Sequence, residues 1–265
     1  METERKYDFC FSLGGSCAGA LQLSLRNLRI AASPFDWVRP RDAVRYVETV
    51  ATLLENRFRG WCALENLVPM PEDLDYPKSD DPLEVRAWDK VQDIGFFHDF
   101  RFDIFGRDAH EYYEGIVSRY KRRIDRLYDI LSCSSKTLAV VVGACQSIPV
   151  ENLRRLLVRM RTVFCGNDIS LAAVCFNAQE DRTEGGLDDG LLVRYVSRKP
   201  HPYDFTKTSF EWDFLDGVSL TGRIAPAKEG KRNATKGMSL YYRLHRKLFL
   251  HCKKVLAKAN GQRTQ

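Results

Sequence analysis

Apolar and polar positions change rhythm several times along the chain, and each change predicts an element. Tyr7 to Leu13 is nearly all apolar and reads as a short strand. Two glycines and Ser16 interrupt it. From Cys17 to about Leu28, apolar residues then recur at helical spacing (Ala18, Leu21, Leu25, Leu28). Arg26 and Arg29 suit the negative pole at the end of that helix. Ser33-Pro34-Phe35-Asp36-Trp37 reads as an extended turn, since Pro34 stops a helix. Asp42 can cap a second helix reaching about Arg57, with Val44, Val47, Val50, Ala51 and Leu54 apolar.

Gly60 to Val91 carries four prolines and many acids and predicts a long irregular loop, of the kind that forms a lid or rim. Ile94 to Phe100 reads as a strand emerging from it. Asp108 to about Leu131 predicts a long amphipathic helix. Tyr113, Ile116, Tyr120, Ile124, Leu127 and Leu131 face inward, and Arg119, Lys121, Arg122 and Arg123 lie on or near the opposite side. The β-branched run Thr137–Gly143 predicts a buried strand. A helix over 150–164 and strands over 169–176 and 190–197 follow, with a polar turn from Gln179 to Asp189. Phe210–Gly217 is an aromatic, acidic patch. A lysine- and glycine-rich loop over 225–237 leads to a mixed apolar and basic helix from Met238 to about Ala259. This alternation predicts an α/β or α+β body around a central sheet.

A hydrophobic share of 44% supports a real core, and no apolar run is long enough to span a membrane. No apolar segment follows the charged start at residues 1–6, so a signal peptide is not expected there. The eight cysteines form no C-x-x-C pair and no zinc spacing. They predict reduced thiols in a cytoplasmic protein with no metal. The net charge of +6 is uneven, with twelve Lys or Arg against the single acid Glu229 between Arg223 and Gln265. The basicity therefore belongs to the C-terminal segment. Residues 1–222 are expected to form the main domain, and 223–265 a basic appendage of it.

Strand, Gly14-Gly15, Ser16, Cys17 and then a helix put a thiol at a helix start. Free backbone N–H groups and partial positive charge there stabilise a thiolate and predict a lowered pKa. The same N–H groups can hold an oxyanion, and the glycines admit a substrate close to the backbone. A buried structural cysteine is the competing reading. A thiol nucleophile needs a base. His110 lies in a first helical turn, His201 between two prolines, and His245 and His251 on the basic helix. His98 sits in an apolar run beside a carboxylate and is the best base, against the alternative of a core histidine satisfied by backbone. Adjacent strand residues point to opposite faces, so Asp99 is not expected to orient His98. Asp36, an acid that wants a partner, is a candidate for the carboxylate that orients His98, or else it caps the turn or helix that follows.

Ser12-Leu13-Gly14-x-x-Cys17-x-x-Ala20, Leu28-Arg29, Pro34-Phe35-Asp36-Trp37 and Phe96-x-His98-Asp99-Phe100 together resemble bacterial papain-like cysteine peptidases of uncharacterised function. The resemblance covers about the first half of the chain. It implies an α+β papain-like fold, with Cys17 as nucleophile at the start of a central helix on a mixed sheet. His98 would be the base and an Asp the third member, with Asp99 and Asp36 both matching family positions. The chain also resembles proteins of capsule and surface-polysaccharide loci, where some papain-like members transfer acyl groups to sugars. The substrate would then be a peptide, an amide or a glycan, with no cofactor beyond a coenzyme A thioester as co-substrate for the transfer reaction. The basic C-terminus could hold an anionic glycan, a membrane surface or a phosphate-bearing donor. Nucleic acid is disfavoured, because no recognised nucleic-acid-binding pattern accompanies the charge.

Overall fold

Each long apolar run becomes an inner strand, and each stripe of helical period packs on it. The protein's structure, a computed structural model, describes residues 4–70, 86–100, 109–144, 147–198 and 210–226. In chain order the elements are β1 (Arg5–Tyr7), β2 (Phe9–Ser12), α1 (Cys17–Leu25), β3 (Val38–Pro40), α2 (Ala43–Glu55), β4 (Leu67–Pro69), β5 (Ala87–Asp89), β6 (Ile94–Phe96), α3 (Ala109–Cys133), β7 (Lys136–Gly143), α4 (Val150–Val163), β8 (Asp168–Phe176), β9 (Arg182–Gly186), β10 (Leu191–Val196) and β11 (Val218–Leu220).

The main sheet has the order β2-β7-β8-β10-β9, with the first four strands parallel and the β9 edge antiparallel. This is the expected α+β body with a mixed sheet. Helices cover both faces, which is why β7 and β8 are buried almost throughout. Ala139 and Val141 share one core with α2, α3 and α4. Leu138, Val140 and Val142 share the other with Ala18 and Leu23 of α1 and with Trp212 and Phe214. The aromatic patch predicted near residue 210 is thus largely packing: Trp212, Phe214 and Leu215 are buried, and buried Glu211 pairs with Arg198. A parallel pairing of β1 with β11 ties the two ends of the described chain together.

A second, antiparallel sheet has the order β3-β6-β5-β4. The sequence pattern does not show it: residues 60–91 read as irregular and Ile94 to Phe100 as one strand. Its strands are three residues long, too short to show a period. Pro69 is tolerated because β4 is an edge strand. β6 stops at Phe96, and the chain bends over 97–99.

Two helical faces also depart from expectation. α1 ends at Leu25, and Asn27 takes a left-handed conformation (φ 57°). Its buried face is Ala18, Gly19, Ala20, Gln22 and Leu23, while Leu25 is exposed, because the helix lies close on the sheet through small side chains. Arg123, expected near the solvent side of α3, is buried and stacks on Tyr120 at 5.4 Å. No helix among the described residues is long and apolar enough to cross a membrane. The predicted loop and helix beyond residue 226, and His201, His245 and His251, lie outside the described residues, as does the side chain of His110.

Candidate active site

The turn that delivers Cys17 is built from backbone. Leu13 N–H donates to the Val140 carbonyl (2.7 Å) and Val142 N–H donates to the Gly14 carbonyl (3.0 Å), so the chain leaves β2 still bound to β7. Gly14 and Gly15 have φ of 77° and 81°. Their need for glycine is doubly set. A Cβ on Gly15 would overlap the Val142 carbonyl, and one on Gly14 would meet the Phe35 carbonyl and lie 2.8 Å from Val38 Cγ2. Gly14 N–H donates to Ser12 Oγ (3.0 Å), and the Tyr46 hydroxyl from α2 donates to the Leu13 carbonyl (2.6 Å). Ser16 is the N-cap, accepting from Ala18 N–H at 3.3 Å. Cys17 follows as the first residue of α1, half-buried.

The expected lowering of the Cys17 pKa is not what this placement produces. Burial pushes the thiol up, while the Ser16 hydroxyl and the Arg39 guanidinium pull it back only in part. Desolvation of a charged sulfur outweighs the stabilisation available at the helix start. Among the described residues the exposed thiols are Cys133 and Cys165, far along the chain, whereas Cys10, Cys62 and Cys175 are buried with raised pKa values.

Residues 33–39 form the wall beside that turn. Asp36 is buried and accepts from Arg29 (Nε 3.1 Å, Nη2 2.5 Å) and from Ser33 N–H (3.0 Å). It therefore ties back to Ser33 at the start of its own turn, whereas the helix that follows is capped by Asp42. Its Oδ1 has no hydrogen-bond partner among the described residues. Burial pushes its pKa up to about 6, against the pull of Arg29, Arg123 and the Ser33 amide. From this turn the chain enters β3, where Val38 points into the core and Trp37 and Arg39 point the other way. Trp37 meets the His98 ring edge-on at 5.6 Å. The same short stretch thus touches the imidazole at one end and carries the cation that acts on Cys17 at the other.

His98 and Asp99 diverge. His98 is exposed on the bend after β6, and Asp99 is buried. Asp99 accepts from the Tyr120 hydroxyl (2.6 Å) and Arg119 (3.2 Å) and lies 3.7 Å from Arg123. Arg123 also acts on Asp36, so one buried guanidinium serves both acids proposed as a third member. Sequence reasoning missed Arg39 and Arg123. The in–out alternation Trp37-Val38-Arg39-Pro40 could have revealed the first. The second falls between Tyr120 and Leu127 on the apolar stripe of α3. Among the described residues no group of three or more His, Cys, Asp or Glu converges to hold a metal ion.

Comparison with known proteins adds two matches. The family model described as "Putative papain-like cysteine peptidase (DUF1796)" matches residues 8–184. The uncharacterised protein R408 of Acanthamoeba polyphaga mimivirus is 24% identical over 190 residues, spanning 67% of this chain and 81% of the viral protein. No solved structure matches the chain.

Proposed function

The chain belongs to that papain-like cysteine-peptidase family, and on this footing we propose that it is a cysteine-nucleophile acyl-transfer enzyme, a peptidase or amidase, working through Cys17 and His98. What supports the reading is the half-buried thiol at the first residue of α1, behind a turn that only glycine can make, beside a strand that also adjoins His98. A thiol whose pKa is raised by burial is protonated at neutral pH. The base must therefore act within the step and not by holding a ready thiolate. His98 takes the sulfur's proton as the sulfur–carbon bond forms. The oxyanion is met by the N–H groups at the start of α1, with Gly14, Gly15 and Ser16 shaping the approach. The imidazolium returns its proton to the leaving amine as the carbon–nitrogen bond breaks. Water, deprotonated by His98, then attacks the thioester and releases the acid and the thiol.

Asp99 serves in this reading as a positioning residue, tying the bend that carries His98 to Tyr120 and Arg119. Asp36 does the same for the Pro34–Trp37 turn. The enzyme would act in the cytoplasm, with the basic segment from Arg223 onward available to an anionic glycan or headgroup. Alkylation by iodoacetamide, read residue by residue by mass spectrometry, tests the pair. His98→Ala is expected to slow labelling of Cys17 near neutral pH, and an unchanged rate would remove His98 from the mechanism.

A second reading, transfer of the acyl group from a thioester donor to a sugar hydroxyl, shares the same enzyme thioester. It is favoured by the aromatic rings of the second sheet, where Arg41 lies over Trp88 and Arg86 over Phe97, since ring faces of this kind stack against sugars. Incubation with acetyl-coenzyme A followed by intact mass separates the readings. A stable acyl adduct that disappears in Cys17→Ser supports transfer.

A further inference from the structure

Three segments meet behind the proposed site: the turn over 33–37, the bend over 97–99, and α3. Rings bring them together. Trp61 packs at 5.7 Å on Phe35 of the turn, at 5.2 Å on Phe96 just before the bend and at 5.8 Å on Tyr120 of α3. Apolar contact draws segments close, but it is not directional and sets their relative rotation only loosely.

Charge supplies the direction. Asp36 from the turn, Asp99 from the bend and Arg123 from α3 are all buried. Arg123 follows Tyr120 by three positions and precedes Leu127 by four, so it shares their inward face. Its Nη1 lies 3.7 Å from Asp99 Oδ1, and Asp99 Oδ2 accepts from the Tyr120 hydroxyl at 2.6 Å. The same guanidinium pulls the Asp36 pKa down against burial. Asp36 Oδ1 and Arg123 Nη1 are buried atoms of opposite charge, and neither has a hydrogen-bond partner among the described residues. Burying three charged groups is costly, and well-packed apolar residues could join the same segments without loss of stability. What the ions add is a choice of arrangement. That arrangement bears on the site, because Trp37 adjoins Asp36 and His98 adjoins Asp99, and the two rings meet edge-on at 5.6 Å.

We infer that Arg123 is a positioning residue: drawing on Asp99 and Asp36 at once, it fixes the bend against the turn and so sets where the His98 imidazole stands relative to Trp37 and the Cys17 thiol. Toward Cys17 the inference rests on the cysteine–histidine reading. Toward Trp37 it rests on geometry alone.

Proton–carbon NMR of the full-length protein, labelled at histidine and assigned with His98→Ala, reads the His98 ring directly. The indole beside it displaces its signal, and Trp37→Leu gives the value without that indole. Arg123→Met is expected to carry the signal most of the way to the Trp37→Leu value. Leu156→Ala, which opens the core at α4, is expected to leave it in place while destabilising the fold. Arg123→Lys keeps the positive charge but not the planar fork, so it is expected to move the signal the same way, and it is the variant read where Arg123→Met does not fold. A signal unmoved in the folded Arg123 variant, or moved as far by Leu156→Ala, overturns the inference.

Iodoacetamide labelling of Cys17 carries the test to the reaction. Arg123→Met is expected to slow it about tenfold near neutral pH. In His98→Ala protein the same substitution should slow it by less than about twofold, since its effect passes through His98. Equal slowing in both backgrounds also overturns the inference. The two readings fail separately. A moved ring signal with labelling indifferent to both His98→Ala and Arg123→Met sinks the cysteine–histidine pair and keeps the role of Arg123, and labelling that needs His98 with an unmoved signal does the reverse.

Discussion

Cys17 and Arg39 carry the prediction that belongs to single residues. Burial raises the thiol's pKa, and Arg39 is the cation that opposes it. The rate of Cys17 alkylation should therefore climb with pH through a midpoint above the usual thiol range. Arg39→Ala should move that midpoint higher still, since a lost positive charge disfavours the thiolate. A pH–rate profile of each protein, read at Cys17 alone, checks this. A midpoint that stays in place would remove Arg39 from the site. Near neutral pH, exposed Cys133 and Cys165 should label faster than Cys17, which reverses the order expected from helix-start position alone. Position at a helix start is legible in a sequence because it follows from local order. The degree of burial is not, because the atoms that exclude water come from distant segments.

The turn between β2 and α1 decides matters at the level of elements. Gly15 combines a positive φ with a backbone carbonyl where its Cβ would be, and a carbonyl held in a sheet cannot step aside. Gly15→Ala should destabilise the fold by about 2–4 kcal/mol or prevent soluble expression, whereas Ser16→Ala, which loses only the cap, should cost about 1 kcal/mol. Chemical denaturation of both variants checks the ranking, and equal costs would count against the described turn. The strand before this turn and the helix after it were readable because both have a strong period. The short strands of the second sheet were not. Three residues cannot show alternation, and their pairing with one another depends on register set across the chain.

The whole molecule's response to acid follows from two buried carboxyls with opposite tendencies. Asp36 has a folded pKa raised to about 6, so the folded state holds its proton more firmly than the unfolded state does. Its contribution is fully present at the lowest pH and is lost as pH rises through the window from about 4 to about 6, an effect of at most about 3 kcal/mol. Asp8 is the reverse. Against the cost of burial, Thr221 and the amides of Ser135 and Lys136 hold its pKa below the usual carboxylate value. Its contribution is present above that usual value and is lost as pH falls through the lowered one. Denaturant titrations at stepped pH should show Asp36→Asn flattening the decline between about 4 and 6 and Asp8→Asn weakening the protein most near neutrality. An unchanged slope in Asp36→Asn would show that its carboxyl is not the buried, partly unsatisfied group described. Asp8 also joins the N-terminal strand to Thr221, just past β11 and more than two hundred residues away, so its variant tests the closure of the fold as well.

Local order alone dictated much of this protein: the helix with a thiol as its first residue, the glycines before it, the turn from Ser33 to Trp37, the buried strands and a body of helices around a central sheet. These rest on dihedral preference, capping and period, which act over a few residues. Long-range packing settled the rest. It raised the Cys17 thiol's pKa, exposed His98 while burying its neighbour Asp99, drew Arg123 inside between two acids, and gathered arginines and rings on a second sheet. Desolvation, ion pairing and register are properties of atoms brought together from far along the chain, and no window of neighbouring residues contains them.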